Sequence, residues 1–419
     1  MPPFRIMPDP VPPDNTRTAL RLAFFYGAIF AMIGIHVPFW PVWLAAKGLG
    51  PTEIGVVIAA SVGIKVISNP LIAHIADRRG QRRPIIVGLA VLAFASFTLF
   101  AGTDHFWPIL LVSILFFAVW SPIMPLGESL AMLSGPGGKQ GGRQEGEQGG
   151  AKELDYGRVR LWGSLTFIAT AVGTGYFLTD GSTDIIFWVL LSSLALVIVV
   201  TLALPPTQAP ASTETRFAAF TVIRVPQFGL FLIATALIQA SHSVYYGFGT
   251  LNWKAQGYSE TVIGFLWAEG VIAEIILFSF GAHLVRRLGP AKLILLGGVA
   301  GAGRWSVTGT AGGLGVLIIM QALHAFTFAA THLGAIYFIS RRVPQAVSAS
   351  AQSLYSAVVM GLALGLAMLA SGNLYGLYGA GAYQAMALMA ALWCIVAVFI
   401  LRRRATPYGM GEIVTGCLV

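Results

Sequence analysis

Twelve long apolar stretches limit what this 419-residue chain can fold into. A membrane-spanning helix needs roughly 20 apolar residues, at a rise of about 1.5 Å per residue. Only 10% of the residues are charged, whereas soluble proteins carry about 25%. We therefore expect an all-α membrane protein with twelve transmembrane helices. The predicted spans are 19–46, 52–76, 83–102, 107–133, 157–180, 184–204, 227–252, 260–285, 290–309, 313–340, 344–372 and 378–401.

The positive charges predict the orientation of these helices. All but four of the 26 lysines and arginines lie at the two ends of the chain or in the loops after even-numbered helices. The exceptions are Lys47 and Lys254 on the opposite side, and Lys65 and Arg304 inside spans. Because cytoplasmic loops are enriched in Lys and Arg, both termini are expected in the cytoplasm. The net charge of +9 then reflects topology, and we expect no nucleic-acid partner.

Two polar segments divide the chain. Residues 205–223 are interpreted as a cytoplasmic linker between an N-terminal six-helix half, 1–204, and a C-terminal six-helix half, 224–419. Residues 134–155 are rich in Gly, Gln and Glu without apolar periodicity, which predicts a flexible cytoplasmic loop within the first half.

The two halves resemble each other when the second is shifted by 209 residues. Arg78 then falls on Arg287, and Lys65 falls on Glu274. Two parallel six-helix halves are the repeat pattern of the major facilitator fold, in which the substrate site lies near the midplane between the halves. We therefore expect two pseudo-symmetric halves with a central site.

A short charged loop follows the second span. It runs Asp77-Arg78-Arg79-Gly80-Gln81-Arg82-Arg83 and resembles the major facilitator signature between helices 2 and 3, with Ala73 where that family usually has Gly. The resemblance implies a charge latch formed by Asp77, Arg78 and Arg82. The alternative is a turn that only marks the cytoplasmic side.

Four further segments point to a narrower family. They are Pro38-Phe39-Trp40-Pro41-Val42-Trp43-Leu44, Tyr156-Gly157-Arg158-Val159-Arg160-Leu161-Trp162-Gly163-Ser164, Ser241-His242-Ser243-Val244-Tyr245-Tyr246-Gly247-Phe248 and Gln321-Ala322-Leu323-His324-Ala325-Phe326. Together these segments resemble the 3-phenylpropionate transporters, a branch close to the lactose permease. The resemblance implies a secondary active transporter of a bacterial inner membrane that works by alternating access. It implies proton-coupled symport of a small organic anion such as an aryl-propionate.

The lactose permease likeness assigns roles to four side chains. Arg160 corresponds to the arginine that contacts sugar, and Glu128 to its acidic partner. Arg304 and His324 correspond to the arginine and histidine of the proton-coupling cluster, with the same spacing of twenty.

The chain departs from the permease at two positions of that cluster. The proton-carrying glutamate, three residues after the histidine, is Thr327 here. The acid of helix 8 falls on Val271, and this chain has Glu274 instead. Proton coupling must therefore be argued from the residues of this chain.

Charged side chains inside spans are rare and costly, and usually serve function. Lys65 is expected to hold a substrate carboxylate or to pair with an acid, and Glu274 is the first candidate for the proton carrier. Glu269, roughly 140° away on the same helix, is the second candidate and suits an external gate. The structural alternative for Lys65 and Glu274 is a salt bridge that orders the bundle.

Polar and aromatic residues near the predicted centre complete the candidate site. His36 and His242 are either substrate donors or core residues, and Tyr245 with Tyr246 suits an aryl ligand. Polar contacts from helix 11 are expected at Gln352 and Tyr355. Trp43 and Trp253 are interpreted as members of the interfacial belt.

Other functions remain as alternatives. A sugar or nucleoside symporter is favoured by Glu128 with Arg160; a drug/proton antiporter and a non-transporting sensor are less favoured. No nucleophile elbow, phosphate loop or metal-ligand pattern indicates an enzyme or a cofactor. The expected partners are a small-molecule substrate, protons and the lipid bilayer, with the monomer as the functional unit.

Overall fold

The computed structural model describes residues 15–134, 156–206, 222–310, 313–344 and 347–402. The predicted flexible loop lies outside the described residues except for Ser134, and so does residue range 207–221 of the predicted linker. Within the described residues the helical pieces combine into twelve helices, which we number α1 to α12 in chain order. This confirms the predicted all-α fold.

The first six helices form the N-terminal half. α2 and α4 are each interrupted by a short turn, so that each consists of two helical pieces. Their bounds are α1, Asn15–Ala46; α2, Pro51–Gly63 and Lys65–Arg79; α3, Arg83–Thr98; α4, Phe106–Trp120 and Ile123–Ser134; α5, Tyr156–Thr179; and α6, Asp184–Leu202.

The remaining six helices form the C-terminal half. α7 is interrupted in the same way, and α10 and α11 each contain a π-helical stretch. The bounds are α7, Phe228–Ala240 and Ser243–Ala255; α8, Glu260–Ser279; α9, Gly281–Thr308; α10, Leu314–Ala322, Ala325–Ala330 (π) and Thr331–Arg342; α11, Ser348–Tyr355, Ser356–Ala363 (π) and Leu364–Tyr378; and α12, Ala382–Arg402.

Hydropathy agrees with membrane insertion of this bundle. Ten described segments are long and apolar enough to cross a membrane, and the last of them, Ser350–Val396, covers most of α11 and most of α12. The remaining helix, α9, contains Arg286 and Arg287 in its first part and is interrupted at Gly289, which has a φ of 73°. Glycine adopts this left-handed conformation without the steric cost of a Cβ.

The predicted end of the eighth span was wrong. The prediction placed it at residue 285, but α8 ends at Ser279, because Phe280 leaves the helical conformation. The residues that follow belong to the charged first part of α9, which includes Arg286 and Arg287.

The boundary between the last two spans was also wrong. α11 continues to Tyr378, six residues beyond the predicted end, and stops where Gly379 takes a φ of 53°. α12 accordingly begins at Ala382. The sequence around this break is apolar and uncharged, so hydropathy and charge did not mark the position where the helix ends.

The two halves meet along α2 with α11 and along α5 with α8. We call the side of the bundle where α1 begins and α12 ends the terminal face, and the opposite side the far face. Near the far face the backbones touch: a Cβ built on Gly55 would lie 2.8 Å from the Cα atom of Gly372. A Cβ on Gly264 would lie 2.5 Å from the carbonyl oxygen of Ala171. Small residues allow this approach between membrane helices.

Hydrogen bonds reinforce the same contact between the halves. The hydroxyl of Thr52 donates to Oδ1 of Asn373 at 2.9 Å, and the hydroxyls of Thr179 and Thr261 lie 2.9 Å apart. These pairs lie at the far-face ends of the helices named above. The far face of this conformation is therefore closed.

Trp43 and Trp253 do not lie in an interfacial belt, and that interpretation was wrong. Their side chains are only 2% and 1% exposed. Trp43 stacks on Trp40 at 4.5 Å between ring centroids, and Trp253 packs against Tyr245 at 6.0 Å. Both indoles therefore point into the bundle. Their position near the ends of predicted spans did not indicate which side of the helix they occupy.

Candidate functional site

The centre of the C-terminal half contains a polar face on α10. Gln321, His324 and Thr327 follow each other at intervals of three, which places them on one side of a helix. The helix widens into its π-helical stretch directly after His324, a local feature that is frequent at functional sites. All three side chains are buried and point towards Arg304 of α9.

Arg304 organises this face through three hydrogen bonds. Its guanidinium is fully buried and donates to His324 Nδ1 at 2.8 Å, to Thr327 Oγ1 at 3.1 Å and to Gln321 Oε1 at 2.7 Å. The guanidinium also lies 4.7 Å from the ring centroid of Tyr245. Aromatic faces attract a cation at this distance, so the charge is held without a direct carboxylate partner among the described residues.

The hydrogen bonds fix the tautomer of His324. Arginine can only donate, so Nδ1 of His324 accepts, and a neutral imidazole then carries its proton on Nε2. Nε2 lies 2.9 Å from Oε1 of Glu274 on α8. The result is a continuous chain from the Arg304 cation through one imidazole to the Glu274 carboxyl group.

A second imidazole continues this chain. Nδ1 of His242 lies 2.9 Å from the carbonyl oxygen of Ile238 and must donate to it. Its Nε2 lies 3.1 Å from Thr327 Oγ1 and, in a neutral imidazole, accepts the threonine proton, while that oxygen accepts from Arg304. Thr327 thus connects the arginine with the second histidine.

An aromatic wall lies beside this network. Gln321 donates to the hydroxyl of Tyr245 at 3.0 Å, and Tyr245 packs on Trp267 at 4.5 Å between centroids. Tyr246 stacks on His242 at 5.6 Å. The wall offers flat apolar surfaces next to the buried polar groups, an arrangement that suits an aromatic ligand.

Arg160 and Glu128 form an ion pair in the N-terminal half. Arg160 Nη1 lies 2.7 Å from Oε1 of Glu128, and both side chains are partly exposed, at 43% and 34%. Arg160 also interacts electrostatically with Glu274 and His332 of the other half. This pair therefore faces the space between the halves.

Lys65 has a different environment from its symmetry-related position, Glu274. Its ammonium nitrogen lies 5.5 Å from the ring centroid of Phe117 on α4. No carboxylate within the described ranges lies within 4.0 Å of it. His36 contacts the same ring at 5.3 Å. The expected ion pair between Lys65 and an acid is therefore not formed among these residues.

The charged loop after α2 forms a compact contact at the terminal face. Arg82 Nη2 lies 2.8 Å from Asp77 Oδ1, and Arg82 Nε donates to Ser129 Oγ on α4 at 2.7 Å. Arg78 is exposed. Two of the three predicted latch residues thus meet, and Arg82 connects them to α4.

Three other predicted site residues lie apart from the network. Glu269 is partly buried and forms no ion pair in the described part of the chain. Gln352 is exposed, and Tyr355 is buried against Phe231 at 5.7 Å between centroids. Their predicted roles gain no support from these contacts.

Gln321, Thr327 and Trp267 are members of the site that the sequence did not single out for a role. Gln321 and Thr327 each lie three residues from His324, and this spacing was the available signal. Trp267 donates to the hydroxyl of Thr250 at 2.9 Å and supports Tyr245. Within the described ranges, no group of three or more His, Cys, Asp or Glu side chains could hold a metal ion.

Comparison with known proteins agrees with this architecture. The model of the MFS_1 like family matches residues 19–399. The chain is 34% identical over 377 residues to a probable 3-phenylpropionic acid transporter of Escherichia coli, which covers 88% of this chain and 94% of that protein. It is 28% identical to the maltose permease of Geobacillus stearothermophilus, over 92% of this chain and 95% of that one.

Solved structures show the same fold at low sequence identity. The crystal structure of the nucleoside transporter NupG matches with a TM-score of 0.75 and 16% identity, over 92% of this chain and 98% of that chain. A bacterial homologue of the human lysosomal transporter Spinster matches with a TM-score of 0.71. The chain therefore belongs to the MFS_1 like family and is a multi-pass membrane transporter of the major facilitator superfamily.

Proposed function

We propose that this transporter is a proton-coupled symporter of a small organic anion, with an aryl-propionate as the substrate class. The observation that carries the proposal is the chain of contacts from Glu274 through His324 to Arg304, beside the aromatic wall. Glu274 is a carboxyl group within a span, and such groups are functional candidates by default. The proposal takes Glu274 as the proton carrier.

The proposed coupling follows from charge balance in the site. A proton on Glu274 removes one negative charge from the interior of the bundle, and a bound organic anion restores the net charge of the site as a whole. Charge inside the membrane is costly, so the reorienting protein is favoured when proton and anion are loaded together. The transporter would then change which face is closed only when proton and anion are both bound or when neither is bound.

The conformation supports alternating access. The far face is closed by the backbone contacts of Gly55 and Gly264. The excess of Lys and Arg on the terminal face favours a cytoplasmic position for that face. The state described here would therefore exchange substrate with the cytoplasm. We propose that the monomer works in this way in a bacterial inner membrane.

A sugar or nucleoside is the second candidate substrate. The ion pair of Arg160 and Glu128, at 2.7 Å, offers donors and acceptors of the kind that bind hydroxyl groups. The maltose permease that is similar to this chain is named for a sugar, and the transporter NupG, which has the same fold, is named for nucleosides. We favour the organic anion because Lys65 adds a cation without a carboxylate partner in the described part of the chain.

The test is uptake of labelled 3-phenylpropionate into proteoliposomes, with and without an inward proton gradient. Protein-free liposomes under the same gradient are an essential control, because the neutral acid itself crosses lipid. The proposal predicts an initial rate above this control that rises with the gradient and that unlabelled maltose or uridine does not reduce. Uptake equal to the protein-free control, with gradient-driven uptake of maltose or uridine, would favour the second candidate.

A further inference from the structure

The N-terminal half contains a cluster of polar atoms that the coupling network does not use. The indole nitrogen of Trp40 and Nε2 of His36 are both buried, and neither has a hydrogen-bond partner within the described part of the chain. Lys65 contacts the same Phe117 ring as His36 and has no carboxylate partner among the described residues. Buried polar groups are nearly always hydrogen-bonded, so such atoms together call for an explanation.

Ring contacts bring the three side chains together. His36 stacks on Trp40 at 5.5 Å and meets the edge of Phe117 at 5.3 Å between centroids. The ammonium group of Lys65 lies 5.5 Å from the same Phe117 ring, and Lys65 interacts electrostatically with His36. We call His36, Trp40 and Lys65 the donor pocket.

The chemistry of the donor pocket selects an anion. An ammonium group and an indole N–H can only donate hydrogen bonds, and an imidazole can donate as well. Leaving such donors unpaired costs free energy, which a suitable acceptor recovers. A carboxylate accepts at both oxygens and compensates the lysine charge, so it matches this set better than a hydroxyl or an amide.

The pocket also lies next to the aromatic wall of the other half. Tyr246 packs against the apolar cluster that includes Ala59 and Val62 of α2. Val62 precedes Lys65 by about one helical turn on α2. A ligand bound to Lys65 at one end therefore has Tyr246 within reach of the other end.

We propose that the substrate carboxylate binds to Lys65, His36 and Trp40 in the N-terminal half, while the aryl group packs on Tyr246 and Trp267 of the C-terminal half. This inference rests on the proposed function for the substrate class. The donor pocket would then determine why the transporter binds acids more tightly than their neutral analogues. It also places the carboxylate away from Arg304 and Arg160, the other cations of the site.

Binding to the full-length protein in detergent tests this placement. The two probes are 3-phenylpropionate and the uncharged 3-phenylpropionamide, measured by isothermal titration calorimetry. The variants are Lys65→Gln, Lys65→Arg and Trp40→Phe, the last of which keeps a ring but removes the N–H group. Trp253→Phe is the matched control, because it removes an equally buried and unpartnered indole N–H from the other half.

The unaltered protein is expected to bind the acid more tightly than the amide. Lys65→Gln is expected to weaken acid binding roughly 10- to 100-fold, the range for a lost hydrogen bond to a charged group, and to leave amide binding within about twofold, which also shows that the variant is folded. Lys65→Arg restores part of the preference, Trp40→Phe lowers it, and Trp253→Phe leaves it unchanged.

Two results separate failure of this inference from failure of the proposed function. If the unaltered protein prefers the acid and both Lys65→Gln and Trp40→Phe keep that preference, the carboxylate lies elsewhere and the donor pocket is not its site, although the proposed function stands. If the unaltered protein binds neither probe but binds maltose or uridine, the proposed function fails and this inference fails with it.

Discussion

The carboxyl group of Glu274 on α8 and Nε2 of His324 on α10 are 2.9 Å apart, and the other nitrogen of that imidazole accepts a hydrogen bond from Arg304. One neutral imidazole thus separates an acid from a buried cation. The protonation state of Glu274 is therefore linked to the positions of α9 and α10. This relationship is the basis for the predictions about coupling.

Gln321 should contribute to the stability of the bundle. It accepts from Arg304 and donates to Tyr245 and to the carbonyl oxygen of Leu266. Gln321→Leu leaves these groups unpaired, and we expect the free energy of unfolding to fall by about 1–2 kcal/mol, the upper range for polar contacts between membrane helices. Reversible unfolding in detergent mixtures measures this change. Gln352→Leu, at an exposed position, should have no comparable effect; equal losses in both variants would refute the assigned role.

Arg78 and Arg82, two arginines of the charged loop after α2, should differ in their contribution to the latch. Arg82 bonds to Asp77 and Ser129, whereas Arg78 is exposed. Arg82→Gln should lower the free energy of unfolding by about 1–3 kcal/mol, the cost of losing hydrogen bonds to a charged group, and should slow uptake. Arg78→Gln should remain within about 0.5 kcal/mol of the unaltered protein. A larger loss for Arg78→Gln than for Arg82→Gln would show that the latch uses another arginine.

The backbone contact at Gly55 should hold the far face closed. A valine side chain has no space there, since a Cβ would lie 2.8 Å from Gly372. Gly55→Val should therefore separate α2 from α11 and expose Ile58, which lies about one turn further in. The measurement is alkylation of Ile58→Cys by an impermeant maleimide, in a Cys394→Ser, Cys417→Ser background.

The control for this experiment is Gly88→Val, because, among the described residues and apart from the backbone of its own helix, a Cβ on Gly88 has no atom within 4 Å. We expect faster alkylation in Gly55→Val and an unchanged rate in Gly88→Val. Unchanged alkylation in a folded Gly55→Val protein would mean that this contact does not control access.

The fold was predictable because lipid requires long apolar helices. Twelve such stretches and the 209-residue shift between halves led to the architecture. The boundary at Gly379 was missed because neither a charge nor a proline marks it. The burial of Trp43 was missed because the sequence does not tell which side of an apolar helix faces lipid.

The site was predictable where a charge inside a span marked it. Glu274, Arg304 and His324 were expected to act together, and the structure brings them into contact. Their connection through Thr327 to His242 was not foreseen, because a threonine in a membrane helix usually bonds to its own backbone. The unpaired ring nitrogens of His36 and Trp40 become evident only when every potential partner in the described part of the chain has a position.

The most direct test of the central claim is a measurement of proton movement with substrate. Proteoliposomes in weakly buffered medium without a pre-formed gradient receive 3-phenylpropionate, and a pH-sensitive dye reports the external pH. The account predicts a rapid alkalinisation beyond that of protein-free liposomes, which Glu274→Gln abolishes although the variant remains folded. An alkalinisation that is the same in Glu274→Gln, or substrate uptake without any proton movement beyond the protein-free control, would contradict proton symport through Glu274.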